Sequence, residues 1–174
     1  MIEINLTPFP ELITPRLLLR QLHQGDAEEI FQLRSDEKVN EFVDRQRATS
    51  IEDARSFIDK IIANQHNGVG IMWALTLKGD PKLIGAIVFW NFIKEKDEVE
   101  VGYELLPEHH GKGIMQEALL KVIGYGFEIL KLKTIGACPK AANLPSINLL
   151  EKCGFVETAS AEDGYLAYRL DSPL

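Results

Sequence analysis

Cysteine is scarce. Cys138 and Cys153 are the only two in 174 residues, too few for a disulfide framework, and neither sits in a CxxC pair or at zinc spacing. His109-His110 lacks companion ligands as well, so no metal is expected. No apolar run approaches the ~20 residues that span a bilayer. The opening MIEINLTPFPELITPR has neither the basic start nor the apolar stretch of a signal peptide. The expectation is a reduced, cytoplasmic protein without membrane contact. Runs of Lys and Arg are missing too. The 19 basic against 26 acidic residues leave a formal charge of −7, and an acidic surface repels phosphate backbones, so no nucleic-acid partner is expected. Repeats, low-complexity tracts and linkers are absent, which predicts one domain over residues 1–174, within the ~100–200 usual for a domain. Hydrophobic residues at 45% suffice for a core without staples.

What is present is periodicity. After the proline-punctuated opening, Arg16 to Leu22 is a β-type run, and Gln24 to Arg34 reads as a helix with Ala27, Ile30, Phe31 and Arg34 on one side. In the helix predicted from Ser50 to His66, Ser50 and Asp53 form a capping pair, and Ala54, Phe57, Ile58, Ile61 and Ile62 recur at helical spacing. Two β runs, Ile71 to Leu77 and Leu83 to Phe92, are joined by the turn residues Lys78-Gly79-Asp80-Pro81 as a hairpin. From Glu98 to Leu106 the chain alternates, with Val99, Val101, Tyr103 and Leu105 on one face and Glu98, Glu100 and Glu104 on the other. A helix then starts just past Gly113. Leu132 to Cys138 reads as a strand, Asn143 to Cys153 as a helix stopped by Gly154, and Tyr165 to Leu170 as a closing strand. Trp73 and Trp90 are expected in the sheet core. This order predicts an α/β protein with a mixed sheet and helices on both faces.

Two segments could carry chemistry. In Leu105-Leu106-Pro107-Glu108-His109-His110-Gly111-Lys112-Gly113-Ile114-Met115-Gln116 a strand ends in a glycine-bearing turn that opens a helix. Free N–H groups of the first turn and the macrodipole favour an anion there. The spacing is neither GxGxxG nor GxxxxGK[ST], and a tight turn alone would also explain Gly111 and Gly113. In the second segment, Asn143 to Phe155, Asn143 reads as the N-cap, Pro145 lies in the first turn, and Leu149 and Leu150 face inward.

Together these segments make the chain resemble the GNAT superfamily of acyl-CoA N-acyltransferases, in its RimJ/RimL-like branch. The resemblance rests on the opening TPRLLLR, on Glu100-Val-Gly-Tyr103, on Gly111-Lys-Gly113, and on the closing N-x-x-S-x-x-L-x-E-K-x-G-F that begins at Asn143. It implies a mixed sheet of six to seven strands and acetyl-CoA as cosubstrate, without metal. It also implies that backbone amides from His110 through Gly111, Lys112, Gly113, Ile114, Met115 and Gln116 hold the CoA pyrophosphate. His110 stands where relatives carry Arg or Gln, and Met115 where they carry a small residue. Tyr103 to Leu106, including Leu105 and Leu106, would pair with the pantetheine arm like an added strand, beside a bulge that splays two parallel strands. Asn143 matches a CoA-contacting asparagine.

Acyl transfer to an amine needs one base for the acceptor's proton and one acid for the leaving thiolate. Glu100 takes the place of the relatives' glutamate base, and burial among apolar strands would raise its pKa; it could equally be one of three glutamates on an exposed face. The relatives' tyrosine acid falls on Leu150 and is excluded. The branch offers Ser146 instead, with Tyr103 in reserve, although Ser146 could merely bond within its helix. Cys153 reads as a small buried hydrophobe rather than an acyl carrier. The reading is an N-acetyltransferase that moves acetyl from acetyl-CoA to a primary amine in a ternary complex. By analogy with the branch the amine belongs to a peptide N-terminus, while the acidic balance favours any cationic acceptor, small molecules included. The rivals are a non-catalytic acyl-CoA sensing module, kept open by Leu150 and Met115, and a transferase of another acyl group. The two amino-terminal helices and the last strands would set the acceptor, with Phe31, Phe42 and Trp90 as candidate linings. An exposed edge on the last strand would permit a homodimer.

Overall fold

The computed structural model describes residues 6–160 and 162–173, so the first five residues of the opening segment lie outside it. Among the described residues there are eight strands and four α-helices. They run β1 (Leu12–Ile13), β2 (Leu17–Gln21), α1 (Ala27–Ser35), α2 (Ile51–His66), β3 (Ile71–Leu77), β4 (Leu83–Ile93), β5 (Glu98–Leu105), α3 (Ile114–Glu128), β6 (Thr134–Ala137), α4 (Leu144–Lys152), β7 (Val156–Ser160) and β8 (Leu166–Asp171). The capping pair behaves as its pattern predicts: Ser50 Oγ accepts the Asp53 N–H at 3.3 Å and Asp53 Oδ2 accepts the Ser50 N–H at 3.1 Å, which fixes the start of α2.

All eight strands form one sheet in the order β1-β2-β3-β4-β5-β6-β8-β7. Every neighbouring pair is antiparallel except β5 and β6, which are parallel and connected through α3. The sheet exceeds the expected six to seven strands because two-residue β1 pairs with β2 and Val156–Ser160 adds β7. β8 is therefore an inner strand, and the exposed edge expected of it belongs to β7.

One sheet face carries α3 and α4 over Val99, Val101 and Leu105; the other carries α1 and α2 over Met72, Ala74 and Ala86. Burial of these apolar side chains is the main stabilising term. Trp73 is fully buried, with its indole N–H donating to the Pro10 carbonyl at 2.8 Å. Trp90 corrects the expectation, because it is 49% exposed. Buried Phe89 turns toward α3, so Trp90 turns to the opposite face near the end of β4.

The irregularity in the sheet also falls elsewhere than the resemblance implied. β5 keeps an unbroken register against β4 from Glu100 to Leu105, and the extra residue lies in β4 between Trp90 and Ile93. The alternation of faces along β5 therefore persists to its end, with Glu98, Glu100 and Glu104 on the α1/α2 face.

Candidate active site

Two features of backbone geometry make the site: an uncapped helix start and a pair of parallel strands that separate. Pro107–His109 forms a 3-10 turn, after which Gly111 and Gly113 both take φ 72°, a left-handed conformation that residues with a Cβ adopt at a cost. Around Gly111 the space where a Cβ would stand is open for 4 Å. Gly113 is the N-cap of α3 and supplies no side-chain acceptor, so the first-turn amides of Ile114, Met115 and Gln116 are left to bind an anion. α4 differs, because Asn143 Oδ1 caps it by accepting the Ser146 N–H at 3.2 Å.

The side chains of the loop mostly hold the loop itself. Met115 is 8% exposed and packs into the core, so it does not crowd the anion site. The side chains of Leu105 and Leu106 are buried on opposite faces and would meet a cofactor only through their backbone. His110 donates from Nε2 to the Leu105 carbonyl at 2.8 Å, tying the loop back to β5. Lys112 folds its ammonium onto the Glu108 carbonyl at 2.7 Å.

A residue that the sequence reasoning did not single out organises this region. Arg16 donates from Nη1 to the Lys112 carbonyl at 2.8 Å and from Nε to Glu117 Oε2 at 2.6 Å, and its Nη2 lies beside Gly113. Glu117 Oε1 also accepts from the Thr14 hydroxyl and from the Arg16 backbone N–H. Burial pushes the Glu117 carboxyl up, but those hydrogen bonds and the guanidinium outweigh it and hold its pKa below the usual range. The signal was the TPRLLLR opening, whose first arginine faces a helix start 101 residues further on.

β5 and β6 pair only from Glu98↔Thr134 to Glu100↔Gly136. Pro139 has no N–H for a ladder, and its carbonyl accepts the Leu166 N–H from β8. β6 thus peels away and leaves a slot along β5. The Leu106 N–H donates to the Ile84 carbonyl, so even-numbered residues of β5 bond to β4, and Val101 and Tyr103 turn their backbone groups to the slot. That is the geometry an extended amide-bearing arm requires.

Glu100 and the hydroxyl pair flank the slot from opposite sheet faces. On the α1/α2 face, Glu100 is half-buried rather than buried, and its Oε1 accepts from Asn91 Nδ2 at 2.7 Å. Asn91 sits at the β4 bulge with φ 52°, a second positioning residue that sequence reading passed over. On the α3/α4 face, the Tyr103 and Ser146 hydroxyls share a 2.7 Å hydrogen bond. Burial pushes the Tyr103 phenol up to about 12, against the lowering effect of the Ser146 bond, so it stays protonated and can donate. Cys153 is buried, and burial pushes its thiol up, which suits packing rather than nucleophilic attack. Cys138, near Glu100, is pushed up by burial and by that carboxylate. A shallow recess of about 380 Å³ bounded by Leu18, Arg20, Thr76 and Pro81 touches none of these groups. Among the described residues no cluster of three or more His, Cys, Asp or Glu is placed to hold a metal.

Comparison with known proteins places the fold. The family model described as acetyltransferase (GNAT) domain matches residues 16–156. The uncharacterized N-acetyltransferase YoaA of Bacillus subtilis is 39% identical over 147 residues, 84% of this chain and 83% of YoaA. Among solved structures, the ribosomal-protein-S5-alanine acetyltransferase from Vibrio fischeri superposes with a TM-score of 0.82 at 20% identity, covering 94% of this chain and 97% of that one. RimL, the ribosomal L7/L12 α-N-protein acetyltransferase solved with coenzyme A, gives 0.83 at 18% identity over 93% and 98%. At such identities the two structures show the shared fold.

Proposed function

The chain belongs to the GNAT acetyltransferase family and is an acetyl-CoA-dependent N-acetyltransferase; from that premise we propose that it works in the RimJ/RimL-like manner, with Glu100 its base, Ser146 its acid, and a peptide N-terminal α-amine its acceptor. One observation carries the proposal: a base and a hydroxyl pair stand on opposite faces of a slot that opens beside an uncapped helix N-terminus. Acetyl-CoA supplies an acyl group activated as a thioester. The backbone amides from Gly111 to Gln116 would hold its pyrophosphate, and Val101 and Tyr103 its amide-bearing arm.

The protein's own groups then move two protons. Glu100, oriented by Asn91, takes the proton of the acceptor ammonium, directly or through one water, which frees the nitrogen lone pair for attack on the carbonyl. As the C–N bond forms and the C–S bond breaks, the nitrogen gives up its second proton to water, Ser146 donates its proton to sulfur and is resupplied by Tyr103, and the phenolate, with its raised pKa, regains a proton from solvent. The Leu150 position therefore needs no tyrosine, since one arrives from β5 instead. The N-acetyltransferase relatives leave the sensing-module reading without support.

The acidic balance of the chain and the peptide-directed relatives support a cationic N-terminal acceptor. The single sheet from β1 to β8 supports one acetyltransferase domain over residues 1–174. Two free thiols support a cytoplasmic location. A homodimer would use the β7 edge. The deciding experiment measures thiol release from acetyl-CoA over Ala- and Ser-starting peptides, spermidine and glucosamine. Release with a peptide, slowed by about 10²- to 10³-fold in Glu100→Gln, is expected; acetyl-CoA binding with no release from any peptide would overturn the acceptor assignment.

A further inference from the structure

An isolated exposed hydrophobic side chain needs no explanation, so the 49% exposure of Trp90 gains meaning only from its position. Trp90 lies directly opposite Glu100 in the β4–β5 register, and cross-strand partners share a face at close range. Its Nε1 stands 3.8 Å from where a Cβ of Gly102 would be. A Cβ there would also press on Val88 Cγ1 at 3.3 Å, so Gly102 keeps side-chain atoms away from the strip of sheet beside the indole and next to Glu100 on the same face. The indole N–H has no partner among the described residues.

The charges on this face single out the same spot. Glu104 is paired with Arg45 at 2.6 Å, Glu98 has Arg169 at 3.8 Å, and Asp44 is paired with Lys140. Glu100 has only the neutral Asn91 amide. It is the one carboxylate of this group without a cationic partner among the described residues, and an aromatic face adjoins it. A carboxylate next to an exposed indole is a site for an organic cation, which gains Coulombic attraction from one and cation–π attraction from the other.

We propose that Trp90 is the acceptor-recognition residue, and that its indole and Glu100 together bind the substrate as a protonated primary ammonium before Glu100 removes its proton. The inference rests on the acetyltransferase reading and adds the form in which the acceptor is bound. It places Trp90 in contact with the carbons next to the reacting nitrogen. A cation, rather than a neutral amine or an acylated terminus, is the species selected.

Trp73 is fully buried and hydrogen-bonded, so changes in tryptophan emission on acceptor binding report Trp90. The experiment titrates an alanyl-tripeptide, a seryl-tripeptide, spermidine, glucosamine and an N-acetylated alanyl-tripeptide into the protein saturated with free CoA. Quenching is expected from the amine that supports thiol release, and none from the acetylated peptide. In Trp90→Ala the quench disappears and the KM for that amine rises roughly 2- to 30-fold, the range of a cation–π contact, while kcat and the Kd for CoA stay within about twofold. Trp90→Phe recovers most of the affinity. The proposal falls if the amine that turns over leaves emission unchanged, if no amine in the panel quenches, if the acetylated peptide quenches equally, or if Trp90→Ala leaves KM unchanged. Failure of CoA itself to bind in calorimetry would bring down the acetyltransferase reading, whereas CoA binding beside a silent Trp90 brings down this inference alone.

Discussion

At the scale of single residues, the base and the acid are each defined by one neighbour. Asn91 adopts φ 52° at the β4 bulge and donates to Glu100 Oε1, which leaves Oε2 to receive a proton. Glu100→Gln keeps the shape and the Asn91 contact but removes the basic oxygen. It should lower kcat by about 10²- to 10³-fold, with the calorimetric Kd for CoA unchanged. Across the slot, Tyr103 and Ser146 form one proton path, so Tyr103→Phe and Ser146→Ala should each slow transfer by about tenfold. The double variant should be no slower than the worse single one, because deletions within one unit do not add; losses that multiply would show two independent acids. The raised phenol pKa sets a sign for pH dependence. Tyr103 retains its proton beyond its ordinary 10.0 and gives it up only as pH rises through about 12. No fall in kcat below 10.0 should therefore be assignable to it, and Tyr103→Phe should leave the shape of the profile below that value unchanged.

At the scale of elements, the start of α3 depends on a strand distant in sequence. Thr14 and Arg16 hold Glu117 and the Lys112 carbonyl, so the cofactor loop is clamped from the β1–β2 side. Arg16→Met should raise the Kd for CoA by roughly tenfold, the weight of a charge-assisted hydrogen bond. Glu117→Gln should weaken CoA similarly at neutral pH. The carboxyl's depressed pKa means the clamp is intact above the usual carboxylate range and is lost as pH falls through the folded value. Wild-type affinity should approach that of Glu117→Gln only in acid, a convergence that titrations at several pH values would reveal. This clamp was illegible in the sequence because its two halves are 101 residues apart and each alone is an ordinary surface charge. α2 and the β3–β5 meander were legible, since capping pairs and alternation are local signals. The loop from Gly111 to Gln116 was legible for the same reason. β7 escaped because VETAS, an edge segment, has no apolar alternation to announce it. Trp90 was misplaced because Leu83 to Trp90 is apolar almost throughout, and a run without period does not say which side chains face in.

At the scale of the whole molecule, the segment between α1 and α2 ties together the two strands that separate. Arg45 bonds Glu104 on β5 at 2.6 Å, while its neighbour Asp44 accepts from Lys140 beyond β6 and from Tyr165 before β8. The segment therefore spans the slot on the Glu100 face, which ties the N-terminal helices to the side where the acceptor is proposed to bind. Its anchor on β5 is a three-charge group. Arg34 stacks 3.9 Å over the Phe57 ring, and burial, then the adjacent Arg45 charge, push its pKa down while Glu104 pulls it back. Two cations thus stand near one carboxylate in a partly buried place, and the carboxylate is bonded to Arg45. Arg45→Met leaves Arg34 and Glu104, a neutral pair, whereas Glu104→Gln leaves two guanidinium groups facing each other without an anion. Breaking a buried pair so that charge is left unmatched costs about 3–5 kcal/mol. Glu104→Gln should fall near about 3 kcal/mol, and Arg45→Met below it, at about 1–2 kcal/mol. Urea unfolding of both variants measures the order. Equal losses, or a larger loss for Arg45→Met, would mean that Arg34 takes no part in the group and that the strap is held by the Arg45–Glu104 pair alone.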